Sequence, residues 1–268
     1  MPTHAPPKPV VKWAGGKQAL LPQLLAHFPS DFGTYYEPFL GGASVALAVA
    51  APRAVLSDAN AWLIETYLAI RDDWRAVARV LDELPNTKDD FLAIRAAELE
   101  GLDAQTRAAH FVYLNKTCFR GLFRVNRAGR FNVPYGAYQR RYYDPENLAA
   151  VSAALAGAEL CTGDYAASVA QAQAGDFVYF DPPYWKLGGH ADFNRYTANQ
   201  FRAEQQEQLA ALCRDLNARG VSWALSNSDT DFVRELYDGF RMEPIAARRE
   251  INLKSGSRNV RELLILSR

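Results

Sequence analysis

The stretch "VYFDPPYW", Val178 to Trp185, sets a carboxylate, two prolines and two aromatic rings directly after an apolar run. Val178–Phe180 reads as the end of a buried strand, so Asp181 falls where the chain leaves a sheet. A carboxylate there accepts a hydrogen bond from an exocyclic amino group, and the Pro182 carbonyl offers a second acceptor. Two acceptors on one amine stabilise the positive charge its nitrogen gains while attacking an electrophilic methyl group. The prolines lack an N–H and have a fixed φ, which keeps those carbonyls aimed. Tyr184 supplies a ring face against which a flat base can stack. A base in a duplex must be extruded to reach such a slot. The tetrapeptide alone also makes an ordinary turn, and Trp185 gains no chemical role from the sequence.

Two glycine signals lie upstream. "KWAGGK", Lys12 to Lys17, permits close approach of backbone to a ligand, and the helical pattern "LLPQLLAHF" follows it. "YYEPFLGGASVAL", Tyr35 to Leu47, runs from a strand through a Gly-rich turn into an apolar helix, the topology of a nucleoside-cofactor loop. Asp58 follows Gly41 by seventeen residues, at the next strand end, where an acid accepts from both ribose hydroxyls. A strict GxGxxG is absent, which disfavours a dinucleotide pyrophosphate and leaves a nucleoside cofactor without phosphates.

Between Lys116 and Tyr143 there is no acidic residue. Seven basic residues (Lys116, Arg120, Arg124, Arg127, Arg130, Arg140, Arg141) interleave with seven aromatics (Phe119, Phe123, Phe131, Tyr135, Tyr138, Tyr142, Tyr143). Basic groups neutralise phosphates, Arg reads guanine through its planar fork, and aromatics stack on bases or wedge between them. The competing reading is a solvated basic loop over an aromatic mini-core; six arginines to one lysine favour recognition.

These residues need a scaffold. Short apolar runs predict strands around Tyr35–Glu37, Ala54–Ser57, Leu160–Cys161, Phe177–Phe180, Val221–Ser226 and Leu263–Leu266. Helical patterns alternate with them, clearest from Ala203 to Arg219, where Leu209, Leu212, Cys213 and Leu216 repeat at helical spacing and Gly220 stands at the C-terminus. Ala59 to Ile70 is a second. This alternation predicts a doubly wound α/β sheet. The middle differs: Trp74–Leu84, Asp90–Glu98 and Ala104–Leu114 read as helices without strands, followed by the irregular basic stretch. It reads as a helical insert between two halves of the sheet.

Bulk numbers constrain less. The chain has 268 residues with 30 Lys+Arg against 30 Asp+Glu, so net charge favours no partner. Cys118, Cys161 and Cys213 form no CxxC pair, which supports neither zinc nor a disulfide framework and predicts reduced thiols in a cytosolic protein. No run of roughly 18 apolar residues predicts a membrane span. "MPTHAPPKPVV" lacks the apolar core of a secretory signal and reads as a short disordered lead.

Together "KWAGGK", "YYEPFLGGASV", "LSDAN", "NKTCFRGLFRVNRAGRFNVPYG", "VYFDPPYW" and "LLILS" resemble the Dam-like DNA adenine-N6 methyltransferases of the α arrangement, in the order that family uses. The resemblance implies an α/β, Rossmann-like methyltransferase core that uses S-adenosylmethionine, with a helical target-recognition insert. Residues 1–61 and 146–268 would form the core, and 62–145 the insert. It implies Trp13, Lys17, Phe39, Gly41, Gly42, Ala43, Asp58, Asp164 and Asp181 at the cofactor. It implies Asp181, Pro182 and Tyr184 as the catalytic slot, and Lys12 as a contact to the flipped base or its neighbours. Leu122, Arg124 and Asn126 stand where the family reads its target, Phe119 where an aromatic wedges into the stack, and Arg258 at a phosphate contact. Ala43 replaces the second glycine of many members, and Arg120 and Phe123 fall at positions that vary. The family further implies a bacterial or phage-encoded monomer, without a metal, acting on double-stranded DNA in the cytoplasm, with GATC its commonest target. A restriction nuclease as companion stays open.

The leading function is therefore adenine-N6 methylation of DNA. N4-cytosine methylation needs the same slot, because both bases carry a conjugated exocyclic amine. An inactive DNA-binding regulator on this fold would not need Asp181. A small-molecule substrate fits poorly with the basic insert, whereas charge alone leaves RNA open.

Overall fold

The computed structural model describes residues 6–185, 201–248 and 259–268. Among the described residues seven strands form one sheet: β1 (Tyr35–Glu37), β2 (Ala54–Asp58), β3 (Ala158–Thr162), β4 (Phe177–Phe180), β5 (Ser222–Ser228), β6 (Arg241–Arg248) and β7 (Asn259–Leu266). Their order is β3-β2-β1-β4-β5-β7-β6. The pairings among β1 to β5 are parallel, whereas β7 runs antiparallel to both β5 and β6. The doubly wound α/β sheet read from the sequence is present.

Nine α-helices accompany it: α1 (Leu21–Leu25), α2 (Ser44–Val49), α3 (Ala61–Asp82), α4 (Lys88–Ala96), α5 (Ala104–Thr117), α6 (Pro145–Leu155), α7 (Tyr165–Ser168), α8 (Ala203–Ala218) and α9 (Asp231–Leu236), counted among the described residues. Alternate strand residues face opposite sides. Tyr35, Phe177, Tyr179, Ala224 and Leu264 join the core cluster that includes α3 and α5. Tyr36, Val178, Phe180, Leu225 and Leu263 join the cluster that includes α8 and α9. Both faces are covered, which is why the central strands read as continuous apolar runs.

Most elements match the sequence. The patterns at 59–70 and 74–84 are one stretch, α3, broken at Asp73 (φ −152°, ψ 75°), whose carboxylate accepts from Ala76 N at 3.0 Å to restart the helix. Gly220 (φ 74°) ends α8: its N–H meets Asn217 O at 3.1 Å while Val221 N meets Leu216 O at 2.9 Å. Four elements had no sequence reading: α6, α7, α9 and β6. α6 starts at Pro145 under an Asp144 cap, and β6 ("RMEPIAAR") carries charges and Pro244. As the last strand of the sheet, β6 tolerates a proline that a central strand would exclude. Residues 1–5 of the proline-rich lead and Arg258 lie outside the described residues, but the lead does not end in disorder: Asn147 pairs with Lys8 N and Lys8 O at 2.8 Å each, and Val10 and Val11 are buried in the core.

Strand order reverses between β1 and β4: after β1 the chain proceeds outward to β2 and β3, then returns to β4 on the other side. The crevice beyond the carboxyl ends of two such strands is where α/β sheets hold ligands. The Gly-rich turn leaves β1 there, and Asp181 leaves β4 there.

Candidate active site

Asp181 accepts a hydrogen bond from Lys17 Nζ at 2.7 Å, and the same ammonium donates to Gly15 O at 2.7 Å. It also lies 5.0 Å from the centroid of the Tyr184 ring. "KWAGGK" and "DPPY" thus meet in one slot, with Lys17 buried and the Asp181 side chain 19% exposed. Burial pushes the Asp181 carboxyl up from its usual range, and the Lys17 ammonium opposes that shift. Burial, then the Asp181 and Glu262 charges, hold the Tyr184 phenol well above its usual range, so it remains a donor. Glu37, on the same side of β1 as Tyr35, is buried, and burial pushes its carboxyl up to about 8; the Tyr35 hydroxyl donates to it at 2.7 Å.

The loop after β1 is set by Trp13. Gly41 has φ 49°, and a Cβ there would stand 2.9 Å from Trp13 Cδ1; one on Gly42 would stand 3.1 Å from Trp13 Cβ. Gly41 therefore demands glycine if Trp13 is to pack on the loop, and Gly42 leaves room for a side chain only if Trp13 shifts. Ala43 holds the left-handed conformation (φ 58°, ψ 22°) that a glycine would take, at a strain of roughly 1–2 kcal/mol. Asp58 Oδ2 accepts from Gly41 N at 2.9 Å and Oδ1 from Asn60 N at 2.8 Å, so this acid also fastens the loop. Phe39 stacks on Tyr165 at 5.2 Å and meets Phe201 edge-on at 5.8 Å. Asp164, one residue before Tyr165, caps α7 through Ala166 N at 2.9 Å.

These residues fit a cationic nucleoside cofactor. Each Asp58 oxygen keeps a second acceptor position. Asn60 Nδ2 is a buried donor with no partner among the described residues. Phe39 and Tyr165 offer flat apolar surfaces. The Asp58, Asp164 and Asp181 carboxylates would repel a pyrophosphate and attract a positive centre.

The basic stretch sorts itself by polarity. Phe123 and Phe131 are buried, and Tyr135, Tyr138, Tyr142 and Tyr143 are partly so, while all six arginines point outward. Phe119 is the exception at 46% exposed. Bridges between Cys118 and Tyr135 and between Val125 and Phe131 fold the stretch back on itself. At its tip Asn126 Oδ1 accepts from Ala128 N (2.9 Å) and Arg130 N (3.0 Å), so Asn126 shapes the turn. Arg124 donates from Nε to Asn132 Oδ1 (2.6 Å) and from Nη2 to Asn132 O (3.0 Å). Leu122 is half-buried beside them. Lys12 ties this region to the slot: its side chain crosses Gly121, where a Cβ would sit 2.2 Å from Lys12 Cδ. Its ammonium lies 5.5 Å from the Tyr138 ring centroid.

Residues 13–251 match the family described as D12 class N6 adenine-specific DNA methyltransferase. The chain belongs to that family. It is 35% identical over 288 residues to "Type II methyltransferase M.MjaIII" of Methanocaldococcus jannaschii, covering 97% of this chain and 99% of that one. It is 35% identical to "Type II methyltransferase M1.LlaDCHI" of Lactococcus lactis subsp. cremoris, covering 96% and 94%. It is 36% identical to "DNA adenine methylase" of Escherichia coli strain K12, again covering 96% and 94%. This D12-class chain is thus an adenine-specific DNA methyltransferase. Among the described residues no helix is long and apolar enough to cross a membrane, and no cluster of His, Cys, Asp and Glu is arranged to hold a metal.

Several residues of this methyltransferase had no role in the sequence reading. Gln206 Nε2 donates to Pro183 O (2.9 Å), and its Oε1 accepts from Asn227 Nδ2 (3.0 Å). Asn227 Oδ1 accepts from Trp185 N (3.2 Å), and Ser228 Oγ donates to Trp185 O (2.6 Å). The Trp185 ring packs on Phe232 at 4.4 Å. A signal existed: Gln206 falls on the apolar stripe of α8 with Leu209, Cys213 and Leu216, where a buried amide needs partners. Lys116 is a second. Burial, then the Lys12 and Arg140 charges, push it down to about 8.

Proposed function

We propose that this chain transfers a methyl group from S-adenosylmethionine to N6 of an adenine extruded from double-stranded DNA, with GATC as its target. The observation that carries the reading is the seat of the Lys17 ammonium, hydrogen-bonded to Asp181 at 2.7 Å beside the face of Tyr184. The slot already holds a nitrogen that donates to a carboxylate against an aromatic wall. An adenine whose ring lies on Tyr184 presents its amino group in the same manner.

The cofactor supplies an electrophilic methyl group. Trp13, the Phe39–Ala43 loop, Asp58 and Asp164 would hold it beyond β1 and β3. Asp181 and the Pro182 carbonyl accept from the adenine amine, orient its nitrogen and stabilise the positive charge it gains. In the transfer the donor's sulfonium sulfur would keep the electrons of its bond to the methyl group, and the methylated amine, held by Asp181 and the Pro182 carbonyl, would release one proton to solvent. Lys17 opposes the upward push of burial on Asp181 and so favours its charged, accepting form.

Residues 62–145 serve as the target-recognition unit. Their exposed arginines support phosphate and guanine contacts, and the exposed Phe119 supports a wedge into the base stack. Lys12, Leu122, Arg124 and Asn126 border the same loop.

Plasmid DNA incubated with the enzyme and S-adenosylmethionine, then digested with nucleases sensitive to methylation at GATC, tests site and donor together. Mass spectrometry of the nucleosides should give N6-methyladenine, and Asp181→Ala should abolish it. N4-methylcytosine as the product, or full activity in Asp181→Ala, would sink the reading.

A further inference from the structure

The hydroxyl of Tyr184 lies between two carboxylates, those of Asp181 and Glu262. It donates to Glu262 Oε2 at 2.9 Å, and Glu262, only 8% exposed, lies in β7 opposite Ser228. A buried carboxylate is unfavourable unless its oxygens are satisfied, so this contact is a specific feature of the site. Glu262 stands across the sheet from the DPPY loop and approaches it through a side-chain group of Tyr184. The backbone on either side of Tyr184 is held by other means. Gln206 anchors Pro183 O at 2.9 Å, while Asn227 anchors Trp185 N at 3.2 Å and Ser228 anchors Trp185 O at 2.6 Å. The position of the loop therefore does not depend on Glu262.

We propose that Glu262 is a positioning residue for methyl transfer, acting through the Tyr184 hydroxyl on the ring that faces the target base. The contact fixes where the far end of the ring sits, and with it the position of the wall against which the base lies. It also polarises the O–H bond toward oxygen, which raises electron density on the ring face. An aromatic face attracts cations through its quadrupole, and the amine nitrogen becomes cationic as the N–C bond forms. The Lys17 ammonium, 5.0 Å from the same ring centroid, marks this face as one that takes a positive group. The inference rests on the reading of Tyr184 as the wall of the catalytic slot.

The test is a double-mutant cycle on the full chain: Tyr184→Phe, Glu262→Gln and the pair, assayed by methyl transfer to a duplex. Glu262→Gln keeps shape and an acceptor but removes the charge. It should lower kcat by about tenfold and leave the KM for S-adenosylmethionine within about twofold. In the Tyr184→Phe background it should change kcat by less than about twofold, because the link to the ring is already cut. An undiminished loss in that background overturns the proposal and assigns Glu262 an action that bypasses Tyr184. Unchanged kcat in Tyr184→Phe alone, with Asp181→Ala inactive, likewise overturns it while leaving the carboxylate's role intact. Glu262→Asp, which retracts the carboxylate by one methylene, provides a second route should the Gln variant fail to fold. Its smaller loss should also vanish without the hydroxyl, and persistence there counts against the proposal.

Discussion

Arg124 presents a guanidinium whose orientation is already set. Two of its nitrogens donate to Asn132, at 2.6 and 3.0 Å, so the rest of the fork projects from an exposed loop in a defined plane. A planar fork held this way suits the O6/N7 edge of guanine. Arg124→Ala should cost about 1–3 kcal/mol of discrimination at one base pair and relax choice there. Methylation rates on duplexes substituted one position at a time will report it, and an equal loss on every sequence would make Arg124 a phosphate contact instead. Asn132→Ala should give a smaller loss at the same position. Lys116 tests a different property. Burial and its cationic neighbours Lys12 and Arg140 push it down to about 8, so the free protein loses this charge as pH rises through that value. A DNA phosphate would favour the charged form, so binding takes up a proton and affinity falls above pH 8, by at most about tenfold per pH unit. Below about pH 7 the charge is present in both states and the effect disappears. Lys116→Arg, always charged, should flatten that limb in a binding titration from pH 7 to 9; an unchanged slope would remove Lys116 from the phosphate contacts.

At the scale of elements, one buried amide ties α5 to the segment that leads into "KWAGGK". Asn115, buried in α5, accepts from Lys12 N at 2.6 Å and donates to Lys12 O at 3.0 Å. It pairs with one backbone residue as a neighbouring strand would. Asn115→Ala leaves both of those backbone groups unpaired in the interior, at about 1–3 kcal/mol each. A lower midpoint of thermal unfolding, together with a loss of activity that exceeds the loss of folded protein, is the expected result. Stability equal to the parent would mean that Lys12 is held by other contacts. This joint was invisible in the sequence, because Asn115 and Lys12 are far apart in it and an asparagine within a helix carries no pairing signal. The legible parts share a property: their meaning is local. Apolar runs gave β1 to β5 and β7, the stripe Leu209–Leu216 gave α8, and Asp181 at a strand end gave the slot. β6 was lost because its charges and Pro244 hide the period-2 pattern, and only its place at the sheet edge makes them acceptable. Gln206, Asn227 and Glu262 were lost for a related reason. Each is a polar side chain whose partner comes from a distant segment, which only the strand order brings near.

For the whole molecule, charge balance and charge placement lead to different expectations. Net charge is +0 with 30 residues of each sign, so no overall field draws the protein to DNA. On the reading proposed above, attraction comes from the basic stretch, where Arg120, Arg124, Arg127, Arg140 and Arg141 are exposed. Arg130, exposed as well, is already paired with Glu98 at 2.5 Å. If about four of these groups neutralise phosphates, the logarithm of affinity falls with the logarithm of salt at a slope near −3.6. Raising salt from about 50 to 200 mM then weakens binding by roughly 10²-fold. Because the face is local, the slope should respond to single residues there and not to remote ones. Arg127→Ala, at the loop tip, should reduce its magnitude by about one if Arg127 meets a phosphate. Arg53→Ala, at the far end of β2 from the slot, should leave it unchanged. Fluorescence anisotropy with a labelled duplex, repeated across salt concentrations, separates these cases. A flat salt response would remove the phosphate contacts from the account, and equal changes for Arg127→Ala and Arg53→Ala would show that net charge, not this face, governs binding.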